Sequence, residues 1–347
     1  MVDAVNTSQT IPSDPNDLNV SYKDTPDVKS KLNELYSIGL EFLYGISDSL
    51  MLKKVLEFVL ISKLIKSLLF KTFMINGVLI IGSTFILNIF SNSSWVQSLR
   101  QRELAQMIFS IFYHLLYLYP LYLGSLLINS FDYMDMAAEA LTLEKKVFRN
   151  RGVTPPSADI LTRIYNEVIN ALFLVFFLVQ SFFLSFIPYV GPIISLLTQS
   201  FMYAFYCFTY KWGTDQVDLY KILAFFEKHF FYFSGFGFIY AIVTRIFPGL
   251  IGSGVYAALF PIFLLLSIKA SPPRDLKITS FDQFATHAKS MFKKKKQDRP
   301  VIEYDYIDTF NYQEFVKSLK NKIGIFIFPL MGINFVGSYL GKKVKLD

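Results

Sequence analysis

Charge and cysteine are scarce in this chain. Asp, Glu, Lys and Arg make up 18% of its 347 residues, against about 25% in an ordinary soluble domain. That shortage excludes a water-covered surface over most of the chain. Cys207 is the only cysteine, which excludes an intrachain disulfide and any cysteine-based zinc framework. Its thiol reads as a small apolar filler. The three histidines, His114, His229 and His287, fall in separate segments and suggest no ligand pair. His114 sits beside Tyr113 and reads as a polar side chain packed against a neighbour. There is no G-x-S-x-G, no P-loop and no H-E-x-x-H. "GFG" at 235–237 is too short for a nucleotide loop. The sequence therefore predicts no enzyme, no cofactor and no metal site. Nucleic-acid binding is not expected of a chain so committed to lipid.

A secretory leader is also missing from the start of this sequence. Residues 1–30 are polar, rich in Pro, Ser, Asn and Asp, with no apolar stretch. They read as a disordered tail, so insertion is expected to be driven by the first membrane segment.

Apolar and aromatic residues are abundant, at 53% and 17%. A bilayer core of about 30 Å needs roughly 20 helical residues, and several uncharged runs approach or exceed that length. The expectation is an all-α, polytopic helical membrane protein with about six membrane segments. Residues 31–270 form the helical membrane domain, and 271–347 a basic cytosolic tail with an apolar segment near 323–341. Within 31–71, Leu and Ile recur at helical spacing among lysines, which reads as interfacial or juxtamembrane helix. The first span is 72–90. The second lies within 104–131, with a kink expected at Pro120.

A polar insert follows at 132–167. It begins helical, with Asp132, Asp135 and Glu139 on one face. Residues 168–210 then carry no charge at all. "SFIPYVGPIIS" at 185–195 divides this run into arms 168–187 and 193–210. A charged loop, 211–229, leads to a second hairpin with arms 230–244 and 251–268 around "RIFPGL". Gly237 with Ala241, and Gly254 with Ala258, have the spacing that lets helix backbones approach, or they are ordinary small membrane residues.

Lys and Arg mark the cytosolic side. Six lysines lie in 31–71 before the first span, five basic residues in the 132–167 insert and three in the 211–229 loop. The tail from 269 onward holds 15 basic residues against 8 acidic ones. Both termini, the insert and the loop are expected in the cytosol. "KKKK" at 293–296 reads either as a contact for anionic lipid or as a solvated run. Sidedness does not decide whether the 168–210 hairpin crosses or dips, since both return the chain to the same side. Its shorter arm, 18 residues at about 1.5 Å each, reaches roughly 27 Å and favours crossing. In the second hairpin, Arg245 would cost at least about 2.5 kcal/mol deep in hydrocarbon, so it is expected near the far headgroups as an intramembrane or apical charge.

The chain ends in "KVKLD". Lys343 and Lys345 resemble the dilysine signal that retrograde coat proteins read on endoplasmic reticulum membrane proteins, which requires a cytosolic end. Among the sequons, Asn6 and Asn19 are expected to be cytosolic and unused. Asn92 is a possible glycosylation site close to the membrane.

"YAFYCFTYKW" (203–212), "FFEKHFFYFSGFG" (225–237) and "ALFPIFLLLS" (258–267) occur in this order. Upstream stand "LLYLYPLYLGSLLINSFDYMDMAAEA" and "FLVQSFFLSFIPYVGPIISLL". Over roughly residues 105–270 the chain resembles the etoposide-induced protein 2.4 family of endoplasmic reticulum membrane proteins, which is distantly like the bacterial sulfate transporter CysZ. The resemblance implies a helical bundle supporting autophagy, with links to growth suppression and apoptosis. Partners implied are membrane lipid, Bcl-2-type proteins and importin-β. It also implies hairpins that penetrate only partway, which leaves crossing and dipping open for 168–210. The expected function is a non-enzymatic membrane scaffold. The alternative is a sulfate-like anion channel or permease, disfavoured because the spans offer only His114 and Arg245 as polar or ionisable lining.

Overall fold

The computed structural model describes residues 26–92, 119–145, 160–214, 219–247, 249–273 and 280–293. The described residues are all-α, with no strand among them. α1 is Pro26–Ser49, α2 Leu52–Ile61, α3 Lys63–Asn92, α4 Tyr119–Leu143, α5 Ile160–Leu184 and α6 Gly191–Thr214. α7 is Leu219–Lys228, α8 Phe230–Ile246, α9 Gly249–Lys269 and α10 Phe281–Lys293. Among the described residues no helix is long and apolar enough to cross a membrane. On α6 the reason is visible, because Ser195, Thr198, Gln199 and Ser200 interrupt its apolar residues without adding charge. A run free of charge is therefore not a run free of polarity.

"SFIPYVGPIIS" is a tight helical hairpin. α5 stops at Leu184, and Ser185 N–H bonds to Ser181 O at 3.1 Å. Tyr189 then adopts the left-handed region at φ 63°, and Gly191 N–H returns to Ile187 O at 2.9 Å. A Cβ on Gly191 would overlap the Ser185 carbonyl, so the close return of the chain requires glycine there. Pro192 falls in the first turn of α6, where its missing N–H would have had no partner. The turn presents an aromatic tip: Phe182, Phe183 and Phe186 are mostly exposed and Tyr189 is 99% exposed.

The core sits around α6 and α8. Phe201, Phe205, Phe208 and Trp212 of α6 interlock with Phe225 and Phe226 of α7 and with Phe233 and Phe236 of α8. Phe226 stacks on Phe233 with centroids 3.7 Å apart. The 211–229 segment is thus no free loop. α6 runs on to Thr214, and Ile222, Leu223, Phe225 and Phe226 fold α7 inward at helical spacing.

Residues 31–71, expected as interfacial or juxtamembrane helix, are helical and packed against the bundle. They form most of α1, all of α2 and the start of α3, and α1 packs lengthwise against α8. At that crossing a Cβ on Gly45 would overlap Tyr232 O, and one on Gly235 would overlap Phe42 O. The backbones touch with no side chain between them, which is bundle packing. On α8, Gly237 makes the same kind of contact with Ser200 of α6. On its outer side α1 carries α10, whose Phe284, Ala288 and Met291 dock on Tyr36, Leu40 and Leu43.

α3 and α4 are antiparallel. Ser62 pairs with Glu139, Lys71 with Asp132, and Asn76 with Asn129. α4 carries the acidic face of 132–139 straight on from its apolar part. The kink expected at Pro120 falls at the edge of the described residues, one position into α4 as described.

Candidate functional site

Along one face of α6 run Ser195, Gln199, Tyr203, Tyr206 and Tyr210, spaced by 4, 4, 3 and 4 residues, which keeps them in one line. Arg245, exposed in the last turn of α8, caps the line: its Nε donates to Gln199 Oε1 at 2.9 Å and its Nη2 to Ser195 Oγ at 3.0 Å. Gln199 Nε2 donates to Tyr203 OH at 2.7 Å. Beyond that point rings fill the path. Tyr203 lies 4.8 Å from Tyr240 and 4.9 Å from Tyr256, and Tyr240 stacks on Tyr256 at 5.1 Å. Tyr240 OH donates to Tyr256 O at 2.6 Å. Tyr206 and Tyr210 continue the line, hydroxyl to hydroxyl at 3.0 Å, toward Tyr133 and Phe260.

A second polar seam joins α3, α4 and α9. Pro261 lies inside α9 and has no N–H, so the carbonyl four residues earlier, Ala257 O, loses its helical donor. Asn76 Nδ2 supplies that donor at 3.0 Å. Asn76 Oδ1 in turn accepts from Asn129 Nδ2 at 2.8 Å and from Ser125 Oγ at 3.4 Å. All three side chains are buried.

The far end of the bundle is ionic. Lys71 Nζ lies 2.7 Å from Asp132 Oδ1. Lys269 stands between Glu57 at 2.9 Å and Glu144 at 3.5 Å. Lys211 is 4% exposed and donates to Ser267 O and Ala270 O, closing the C-terminal end of α9.

Of the residues singled out in the sequence, Arg245 is brought into a polar group with Ser195 and Gln199. Asn92 is the last residue of α3. Lys343, Lys345, His114 and the 323–341 segment lie outside the described residues. His229 is buried with Nδ1 3.4 Å from Glu41 Oε1, and His287 is exposed with Nδ1 2.9 Å from Gln283 O. The expectation that His114 and Arg245 were the only polar lining needs correction, since Asn76, Ser125 and Asn129 are buried in the first two uncharged runs. The available signal was their spacing, Ser125 to Asn129 being one helical turn. Among the described residues no group of His, Cys, Asp and Glu has the arrangement of a metal site.

An all-helical bundle of paired helices, with uncharged polar seams inside and ionic ties at one end, is the class these features define. The chain belongs to the family described as sulfate transporter CysZ/etoposide-induced protein 2.4, whose model matches residues 41–268. The match begins inside α1, well upstream of the motifs recognised in the sequence. A protein EI24 homolog of Dictyostelium discoideum is 30% identical over 234 residues, covering 66% of this chain and 74% of the relative. A protein EI24 homolog of Arabidopsis thaliana is 25% identical over 281 residues, 71% of this chain and 87% of the relative. Ectopic P granules protein 4 of Caenorhabditis elegans is 26% identical over 155 residues, 44% of this chain and 47% of the relative. No solved structure matches the chain.

Proposed function

We propose that the protein is a polytopic membrane protein of the endoplasmic reticulum that supports autophagy as a non-enzymatic scaffold. Large apolar side chains point outward from α3, α5 and α6, among them Phe70, Val78, Phe85, Val175, Phe183 and Ile193, while Asn76, Ser125 and Asn129 turn inward. That inversion suits helices solvated by lipid. Family membership supports the reticular and autophagic role. The observation that carries a scaffold over a pore is the packing of Tyr203, Tyr240 and Tyr256 across the polar line of α6. A solute entering past Arg245 would meet stacked rings within one turn of Gln199. Lys343 and Lys345 provide reticular retention through coat proteins, and the basic cytosolic side provides the surface for protein partners.

A sulfate-like permease is the second reading, favoured by the group of Arg245, Gln199 and Ser195 at the mouth of that line. Two measurements separate the readings. Deleting the gene raises undegraded autophagic cargo, and purified protein in liposomes passes no sulfate above the empty-liposome leak. Normal cargo turnover together with saturable sulfate uptake would replace the scaffold with the permease.

A further inference from the structure

Three buried oxygens on the α3–α4 seam have no hydrogen-bond partner among the described residues: Thr72 Oγ1, Asn129 Oδ1 and Asp132 Oδ2. Their residues are 0%, 3% and 5% exposed. Buried oxygens are ordinarily partnered, because each left bare keeps the cost of losing water. Three of them on one seam point to an occupant.

Register brings them together. The antiparallel pair has one rung at Lys71–Asp132 and the next at Asn76–Asn129. Thr72 lies between these rungs, one turn before Asn76 and on the same face. On α4, Asn129 and Asp132 are likewise one turn apart. The stretch between the rungs spans about 7.5 Å of axis on α3 and about 4.5 Å on α4.

Among the described residues, the amide and ammonium donors beside this stretch are engaged. Asn129 Nδ2 serves Asn76 Oδ1 and Ser125 Oγ at 2.8 and 3.1 Å, and Lys71 binds the other oxygen of Asp132. A carboxylate oxygen, an amide carbonyl and a hydroxyl remain. These are hard oxygen ligands, suited to alkali or alkaline-earth cations rather than to softer transition metals. An anion would face a carboxylate oxygen and an amide carbonyl, with only the Thr72 hydroxyl to donate to it. The charge count sets the valence: one carboxylate, shared with Lys71, is too little for the carboxylate-rich shells that hold calcium.

We propose that the seam between α3 and α4 binds a monovalent alkali cation through Thr72 Oγ1, Asn129 Oδ1 and Asp132 Oδ2, with water completing the shell. Through Asn129 and Asn76 the cation is linked to Ala257 O and hence to the break in α9. Binding therefore steadies three helices at once.

The test uses purified full-length protein, melted in NaCl, KCl and choline chloride at equal ionic strength. Sodium or potassium raises Tm above choline in a saturable way, as a ligand specific to the folded state must. Thr72→Val removes one ligand oxygen and raises the half-saturating concentration at least about tenfold, while Thr72→Ser retains it. Since the Thr72 hydroxyl has no protein partner among the described residues, Thr72→Val melts no lower than wild type in choline. Equal melting of the wild type in all three salts, the result if water alone fills the seam, overturns the proposal. So does an undiminished alkali effect in Thr72→Val. Equilibrium dialysis of the wild type against radioactive sodium and, separately, a potassium tracer needs no variant. Absence of saturable uptake of both overturns the proposal even if Thr72→Val fails to fold.

Discussion

Single atoms decide where the helices cross. Gly235 and Gly237 are two residues apart on α8, so they point about 200° apart around the axis. The first meets Phe42 of α1 and the second meets Ser200 of α6, each by direct backbone contact. The same three letters that were too short for a nucleotide loop thus clamp α8 between two neighbours. A methyl added at either position has nowhere to go, since the atoms it meets are backbone. Gly77 on α3 has nothing within 4 Å of a new Cβ, so Ala there only improves helix propensity, by up to about 1 kcal/mol. We expect Gly235→Ala to lower Tm by several degrees and Gly77→Ala to leave it unchanged or raise it. Similar melting of the two variants would show that α1 does not lie on α8 as described. Gly237 with Ala241 was legible in the sequence as a small-residue pair. Gly45 was not, because it sits in the mixed segment 31–71 and its partner is 187 residues away at Tyr232.

At the scale of elements, the hairpins could be read from the sequence because Pro, Gly and charge punctuate them. Arms expected at 230–244 and 251–268 appear as Phe230–Ile246 and Gly249–Lys269. The polar seam behind them escaped notice. Asn and Ser carry no charge, and Asn76 meets Asn129 and Ala257 only through long-range packing. Pro261 was visible, yet nothing local shows that its missing hydrogen bond is replaced from α3. That replacement makes a measurable coupling. Asn76→Leu strips the donor from Ala257 O and costs about 1–3 kcal/mol. Pro261→Ala restores a backbone donor four residues on, so the same Asn76→Leu change costs less in that background. Its remaining cost reflects the bonds to Asn129 and Ser125. We expect an interaction of about 1 kcal/mol in the double-mutant cycle, measured by reversible unfolding in detergent. Additive effects, within about 0.5 kcal/mol, would mean the two groups act independently.

The whole molecule is polarised. Lys71–Asp132, Lys269 with its two glutamates, and Lys211 all lie at the end where α3 begins and α4, α6 and α9 finish. The opposite end holds Arg245 and the aromatic tip of the α5–α6 hairpin. If the ionic end faces the cytosol, as the six Lys of 31–71 and the five Lys and Arg of 132–167 argue, the tip has two fates. It reaches the far aqueous side or it stops within lipid, and Tyr189, wholly exposed in the fold, reports which. Cys207 is buried and is replaced by Ser to remove background. A cysteine at Tyr189 is then challenged with a membrane-impermeant thiol reagent in sealed vesicles whose cytosolic face is outward. A second cysteine at Lys53, exposed on α2 one turn before Glu57, which pairs with Lys269, serves as the reference for the ionic end. We expect labelling of Lys53→Cys in sealed vesicles, and of Tyr189→Cys only after permeabilisation. An aromatic tip has little apolar surface to lose by lying among headgroups, where such rings settle readily. Labelling of Tyr189→Cys before permeabilisation, with Lys53→Cys labelled only after it, would reverse the sidedness. Failure in both states would leave the tip inside the hydrocarbon, and α5 and α6 would then form a hairpin that dips into the bilayer from the cytosolic side.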